Sequence, residues 1–206
     1  MKVLLINGSP KVRGNTAFSL AQMAEVFQNA GIETETIQVG SQVISGCTGC
    51  AACYKIGKCV MDDLVNETAA KLGEFDGIVV GSPVYYASPN GTLLSFLDRL
   101  FYSTGKVDKR MKVGASVVVA RRGGCTASMD VLNKYFTISE MPVASSTYWN
   151  IIHGGKPGEA EQDAEGIRTM RNLAKNMIFL MKAIAAEKET SGLPEPEKKV
   201  FTNFIR

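Results

Sequence analysis

Short apolar runs that alternate with stretches of helical periodicity constrain this chain more than any other feature. Val3–Ile6 is a β-branched and leucine-rich run that breaks at once into a Gly-Ser-Pro turn. Thr16–Ala30 follows, with Phe18, Leu20, Ala21, Ala24, Val26 and Phe27 at helical spacing and Gly31 as its C-terminal cap. Ile32–Val39 alternates apolar and polar residues as a half-buried strand. Asp62–Leu72 reads as a helix with acids at its N-terminus, and Gly77–Gly81 as a buried strand. A helix over Asn90–Tyr102, a strand over Val113–Ala120 and a helix over Thr126–Phe136 continue the alternation. The last strand is expected within Met141–Trp149. A glycine-rich loop, Asn150–Gly158, then leads into a long final helix, Gln162–Glu189. Five strands separated by helices imply an α/β fold, a parallel sheet with helices on both faces. Right-handed crossovers favour the doubly wound strand order 2-1-3-4-5, in which ligands sit at the carboxyl ends of the strands. The three most unusual loops follow strands one, three and four, so they gather at one edge.

The 206 residues suit one domain, residues 1–190, and an arm over 191–206 that contains Pro194 and Pro196. The arm is expected to pack on a partner subunit in a homodimer or homotetramer. Net charge is +3, from 23 basic and 20 acidic residues, too even a balance for a nucleic-acid or membrane-surface protein. No segment approaches the roughly 18 apolar residues of a membrane span. The apolar start, Met1–Ile6, is too short for a signal peptide, so a cytoplasmic location is expected. Four of the five cysteines crowd into residues 47–59, which favours a metal or redox site over a disulfide framework.

Gly8-Ser9-Pro10-Lys11-Val12-Arg13-Gly14-Asn15-Thr16 joins the first strand to the first helix. A helix N-terminus carries free N–H groups and partial positive charge, and so receives a phosphate. Ser9, Asn15 and Thr16 add side-chain donors, and Lys11 or Arg13 adds charge. The loop has neither G-x-x-x-x-G-K-[ST] nor G-x-G-x-x-G, which points to a mononucleotide cofactor with a single terminal phosphate. Cys47, Cys50, Cys53 and Cys59 read C-x2-C-x2-C-x5-C, compact spacing of an iron–sulfur type. The small residues Gly49, Ala51 and Ala52 leave room for sulfide. Zinc remains a rival, as do plain thiols with no metal.

Gly-Ser-Pro-x-x-x-Gly-Asn-Thr after the first strand, with Gly81-Ser82-Pro83-Val84-Tyr85-Tyr86 after the third, resembles the NAD(P)H-dependent FMN reductase family. With the cysteine cluster between them, the chain most resembles its iron–sulfur flavoprotein branch, over roughly Met1 to Glu189. The resemblance implies a flavodoxin-like fold with FMN as cofactor and the cysteine cluster beside it. It also implies that Pro83, Val84, Tyr85 and Tyr86 contact the ring and ribityl chain, and that all four clustered cysteines bind a 4Fe–4S cluster. After the fourth strand, Gly123 and Gly124 permit close backbone approach to the flavin's pyrimidine edge, with Arg121 or Arg122 adding charge. Unlike flavodoxins proper, the chain has a longer phosphate loop and no acidic bias.

The activity expected is an FMN-dependent oxidoreductase passing electrons between NAD(P)H or a ferredoxin-like donor and a quinone, flavin or other small acceptor. The flavin carries the chemistry, so no protein acid or base is required. The alternative is a passive flavin-binding electron carrier or regulatory protein without a metal cluster. Cys125 and the lone His153 are read as packing and surface residues. Trp149 is read as core or interface.

Overall fold

A computed structural model describes residues 1–205. β1 (Lys2–Asn7), β2 (Glu33–Gln38), β3 (Gly77–Tyr85), β5 (Val113–Ala120) and β6 (Ile151–His153) form the parallel sheet. Their order is β2-β1-β3-β5-β6. β4 (Ser88–Pro89) only folds back on the end of β3 as an antiparallel hairpin, so the five parallel strands keep the expected 2-1-3-4-5 arrangement.

Period-two alternation divides the core between the two faces. Leu4 and Ile6 of β1, with Ile78 and Val80 of β3, pack under α3 (Leu64–Lys71), α4 (Gly91–Ser103) and α5 (Cys125–Thr137). Their intervening neighbours Val3, Leu5 and Val79 pack under α1 (Asn15–Asn29) and α6 (Ala164–Ser191), against Leu20, Phe27, Leu173 and Met177. Gly31 ends α1 at φ +74°, the left-handed conformation expected of a glycine cap. Asp63 caps α3, its Oδ1 accepting from the Val65 N–H at 3.0 Å.

The last strand differs from expectation. Gly114 bridges Val143 only briefly, through Gly114 N–H to Pro142 O and Ala144 N–H to Gly114 O. The chain then leaves the sheet at Ser145-Ser146-Thr147. The Ser146 hydroxyl donates to the Thr169 carbonyl on α6 and Asn176 donates to the Ser145 carbonyl. Pairing with β5 resumes only at Ile151. Past Ser191 the chain has no helix or strand through Ile205, and Arg206, the end of the expected arm, lies outside the described residues. Among the described residues no helix is long and apolar enough to cross a membrane.

Candidate functional site

The loop after β1 is fixed from beneath by two amides. Asn7 Oδ1 accepts from the Ser9 N–H at 3.0 Å, and Asn7 Nδ2 donates to Gln38 Oε1 at 2.7 Å. Gln38 Nε2 in turn donates to the Ser9 carbonyl. Gly40 lies so close that a Cβ there would stand 2.2 Å from the Gly8 carbonyl oxygen. Thus tethered, the loop turns through Gly14, whose N–H donates to Lys11 O, and enters α1 with no side-chain cap. The first-turn N–H groups are left to face a cavity of about 210 Å³ at the carboxyl edge of the sheet.

Ser9, Lys11, Gly14 and Thr16 line the cavity on one side, and Pro83, Val84 and Tyr85 on another. Arg121 and the Gly154–Gly155 turn close the third side. Arg13 is exposed and lies outside the lining. Asn15 lies at the cavity, and most of its side-chain hydrogen bonding is already used. Nδ2 donates to Lys156 O at 2.8 Å, and Oδ1 accepts from the N–H groups of Gly158 and Ala160. It therefore fastens α1 to the loop after β6, with one Nδ2–H still unassigned at the cavity. The Gly154–Pro157 loop, Asn7 and Gln38 are site elements that sequence reasoning missed. The paired glycines after the last strand were the one visible signal, since a Cβ at Gly154 would stand 2.6 Å from Asn15 Nδ2.

β3 continues past the sheet into the hairpin that forms the second wall. Ser82 anchors it, accepting from the Asn90 N–H at 3.0 Å and donating to the Pro83 carbonyl. Tyr86 and Ala87 make the two-residue turn with φ +51° and +58°, values that L-residues adopt at a cost of about 1 kcal/mol each. Tyr86 is fully exposed at the tip. Gly124 has φ +89°, and a Cβ there would meet Ala87 Cα at 2.7 Å, so this glycine admits the hairpin. Gly123 faces open space, Arg122 is exposed, and the Arg121 side chain lies along Gly155.

The cysteine loop occupies the other half of α4. Positive φ values at Gly49, Ala51 and Gly57 curl it, and Cys53 opens the short helix α2 (Cys53–Ile56). Cys47, Cys50, Cys53 and Cys59, all free thiols, ring one apolar hollow floored by Arg99, Tyr102 and Ser103. The Ala52 N–H and the Thr48 hydroxyl hold the Cys50 thiol below its usual pKa. Asn66 grips Cys59 by the backbone, accepting its N–H at 3.0 Å and donating to its carbonyl at 2.9 Å. Among the described residues, no three His, Cys, Asp or Glu side chains converge tightly enough to hold a single metal ion. Arg99 lies eight residues along α4 from Gly91, about 12 Å at 1.5 Å per residue. Cys125 is buried elsewhere, where burial pushes its thiol up, and His153 is exposed with Nδ1 3.3 Å from Ala120 O.

The family model of NADPH-dependent FMN reductases matches residues 1–156. An iron–sulfur flavoprotein of Methanocaldococcus jannaschii is 34% identical over 191 residues, covering 89% of this chain and 99% of that one. An iron–sulfur flavoprotein of Archaeoglobus fulgidus is 32% identical, covering 89% and 96%. Among solved structures, the NAD(P)H:quinone oxidoreductase from Methanothermobacter marburgensis superposes with a TM-score of 0.68 at 15% identity, covering 86% of this chain and 97% of that one. An archaeal flavodoxin gives 0.55 at 14% identity, covering 86% and 99%, and these two structural likenesses carry the fold alone. With a flavodoxin-like sheet, an open helix tip at its carboxyl edge and relatives along nearly its full length, the chain belongs to the NADPH-dependent FMN reductase family, in its iron–sulfur flavoprotein branch, and is an FMN-dependent oxidoreductase.

Proposed function

We propose that the FMN phosphate sits on the uncapped N-terminus of α1 and that the four clustered cysteines hold a 4Fe–4S cluster. On this reading the protein passes electrons between NAD(P)H or a ferredoxin-like donor and a quinone, free flavin or similar small acceptor. The observation that carries the flavin placement is the set of first-turn N–H groups of α1 opening, with no side-chain cap, into the cavity. Ser9 and Thr16 add hydroxyls there, and Lys11 adds charge.

Bound FMN supplies both hydride and single-electron chemistry. The chain's residues orient it: Pro83, Val84 and Tyr85 form the apolar wall, Tyr86 extends it at the tip, and the backbone near Arg121 and Gly123 meets the polar edge. The compact C-x2-C-x2-C-x5-C spacing supports a cubane over zinc, whose structural sites usually come as two separated pairs of cysteines. All four thiols line one hollow. Residues 1–190 act as the flavin-binding domain. The segment from 191 is an arm whose exposed Val200, Phe201, Phe204 and Ile205 suit packing on a second copy.

Anaerobic purification followed by FMN, iron and sulfide assays tests the reading, with turnover of NAD(P)H measured against an added quinone. Cys50→Ser is expected to lose iron and keep FMN. Full iron in that variant would refute the ligand set, and FMN-loaded protein that turns over no donor would favour the passive carrier.

A further inference from the structure

Arg99 is an arginine placed where an apolar helix residue belongs. Its side chain has no exposure, yet all five of its N–H donors are assigned. Nη1 and Nη2 fork onto Asp63, at 2.6 Å to Oδ2 and 3.0 Å to Oδ1. The remaining Nη donors reach Ser45 O at 3.3 Å and Met61 O at 2.9 Å. Nε points at Cys59 Sγ, 3.4 Å away. Ser45 lies two residues before the first cysteine of the loop and Met61 two residues after the last.

We infer that Arg99 is a positioning residue for the cysteine ring. It clasps both ends of the loop and, by donating Nε–H to Cys59 Sγ, raises the one-electron reduction potential of the group that the ring holds. This inference rests on the cluster reading above. A buried ion pair costs desolvation energy and is a poor choice if stability alone were served. An apolar residue would fill the site under the hollow, and the carbonyls of Ser45 and Met61 could be met by a neutral amide. What only a guanidinium provides is five fixed donors, three to a carboxylate and a sulfur and two to backbone. Asp63 balances its charge and also caps α3, so the clasp is held rigid from the helix that carries Asn66, the backbone grip on Cys59. Reduction of a thiolate-bound cluster adds one electron, and the added negative charge spreads onto the sulfurs. A donor already aimed at one sulfur favours the reduced form, and hydrogen bonds to sulfur are among the determinants of such potentials.

The test uses iron-loaded, FMN-loaded protein and its Arg99→Lys variant, which keeps the positive charge but cannot supply the Nε–H. An EPR-monitored redox titration of the cluster is expected to show about a tenfold drop in the equilibrium constant for reduction, ~59 mV more negative for one electron. An unchanged potential in a variant with full iron would overturn the inference. Should the variant fail to retain its cluster, wild-type protein labelled with ¹⁵Nε-arginine decides the matter. Its reduced cluster is expected to show an arginine ¹⁵N coupling and an exchangeable deuteron, and the lack of both sinks the sulfur contact. Wild-type protein that takes up no iron under anaerobic reconstitution overturns the cluster reading itself, an outcome distinct from an iron-loaded protein lacking the coupling.

Discussion

Gln38, at the end of β2, and Ser9, in the loop after β1, are joined by a hydrogen bond from the glutamine Nε2 to the serine carbonyl. With the Ser9 N–H held by Asn7, both backbone groups of Ser9 are spoken for beneath the loop, while its hydroxyl, accepting from the Lys11 N–H at 3.1 Å, keeps its own proton to donate at the cavity. On the proposed placement of the FMN phosphate, the glutamine acts on a ligand it does not touch, by fixing the loop that carries the donors. Gln38→Ala removes two hydrogen bonds, from Asn7 and to the Ser9 carbonyl; the latter, at about 1–1.5 kcal/mol, bears on the loop directly, so FMN affinity is expected to fall roughly tenfold. Calorimetry with riboflavin, which lacks the phosphate, should give the same affinity for variant and wild type. An equal loss for both ligands would place the effect on the flavin ring and not on its phosphate.

Asn15 holds the N-terminus of α1 to the loop after β6 through three hydrogen bonds. Asn15→Ala strands two N–H groups and a carbonyl near the core, at about 2 kcal/mol. The Tm of the apoprotein should fall by roughly 4–8 °C. Asn15→Asp keeps the acceptor and loses only the donor, so it should lose less. Thermal melts without flavin separate this from any effect on the cofactor.

Much of this architecture was readable because burial imposes its period on the chain. Val3 and Leu5 belong to one face and Leu4 and Ile6 to the other, and that alternation requires helices on both sides. The last strand was misplaced because Met141–Trp149 holds only a brief bridge at Val143. Pairing resumes at Ile151 after a detour tied down by Ser146 and Asn176, contacts with α6 that no local pattern encodes. At the site, loop chemistry was legible in Gly8–Thr16, but Gln38 was not, because its role depends on a strand pairing thirty-one residues removed from Asn7 in sequence. Gly124 was legible as a glycine that needs space, whereas the neighbour that takes that space, Ala87, was not. Arg99 gives no sequence signal at all, lying among Leu93, Phe96, Leu97 and Leu100 on the apolar face of α4.

Glu35, on β2, meets Lys71 and Lys2, the latter at 3.0 Å, and these two ammonium groups hold its carboxyl below the usual glutamate range. A depressed folded-state pKa means stability that is present above the unfolded pKa, about 4.3, and is lost as pH falls through the folded value. With partial solvent screening the contribution is about 1 kcal/mol at most. Glu35→Gln should therefore be less stable than wild type in urea at pH 7, and the two curves should converge near pH 3. A gap that persists unchanged at pH 3 would assign the loss to packing.

Tyr86 combines full exposure with a φ of +51°, so it is held in a costly conformation without the compensation of burial. Strain kept at the rim of a site is expected where the side chain is needed in that direction. Tyr86→Gly relieves about 1 kcal/mol of backbone strain and should raise the apoprotein Tm by roughly 2–4 °C. The same change removes an aromatic face from the flavin wall, about 1 kcal/mol, so FMN should bind roughly fivefold more weakly. Ala87→Gly, at φ +58°, is the control: it should gain similar stability and leave FMN affinity unaltered. If Tyr86→Gly bound FMN as tightly as wild type, the tyrosine would serve no flavin contact and the strain at the hairpin tip would need another cause.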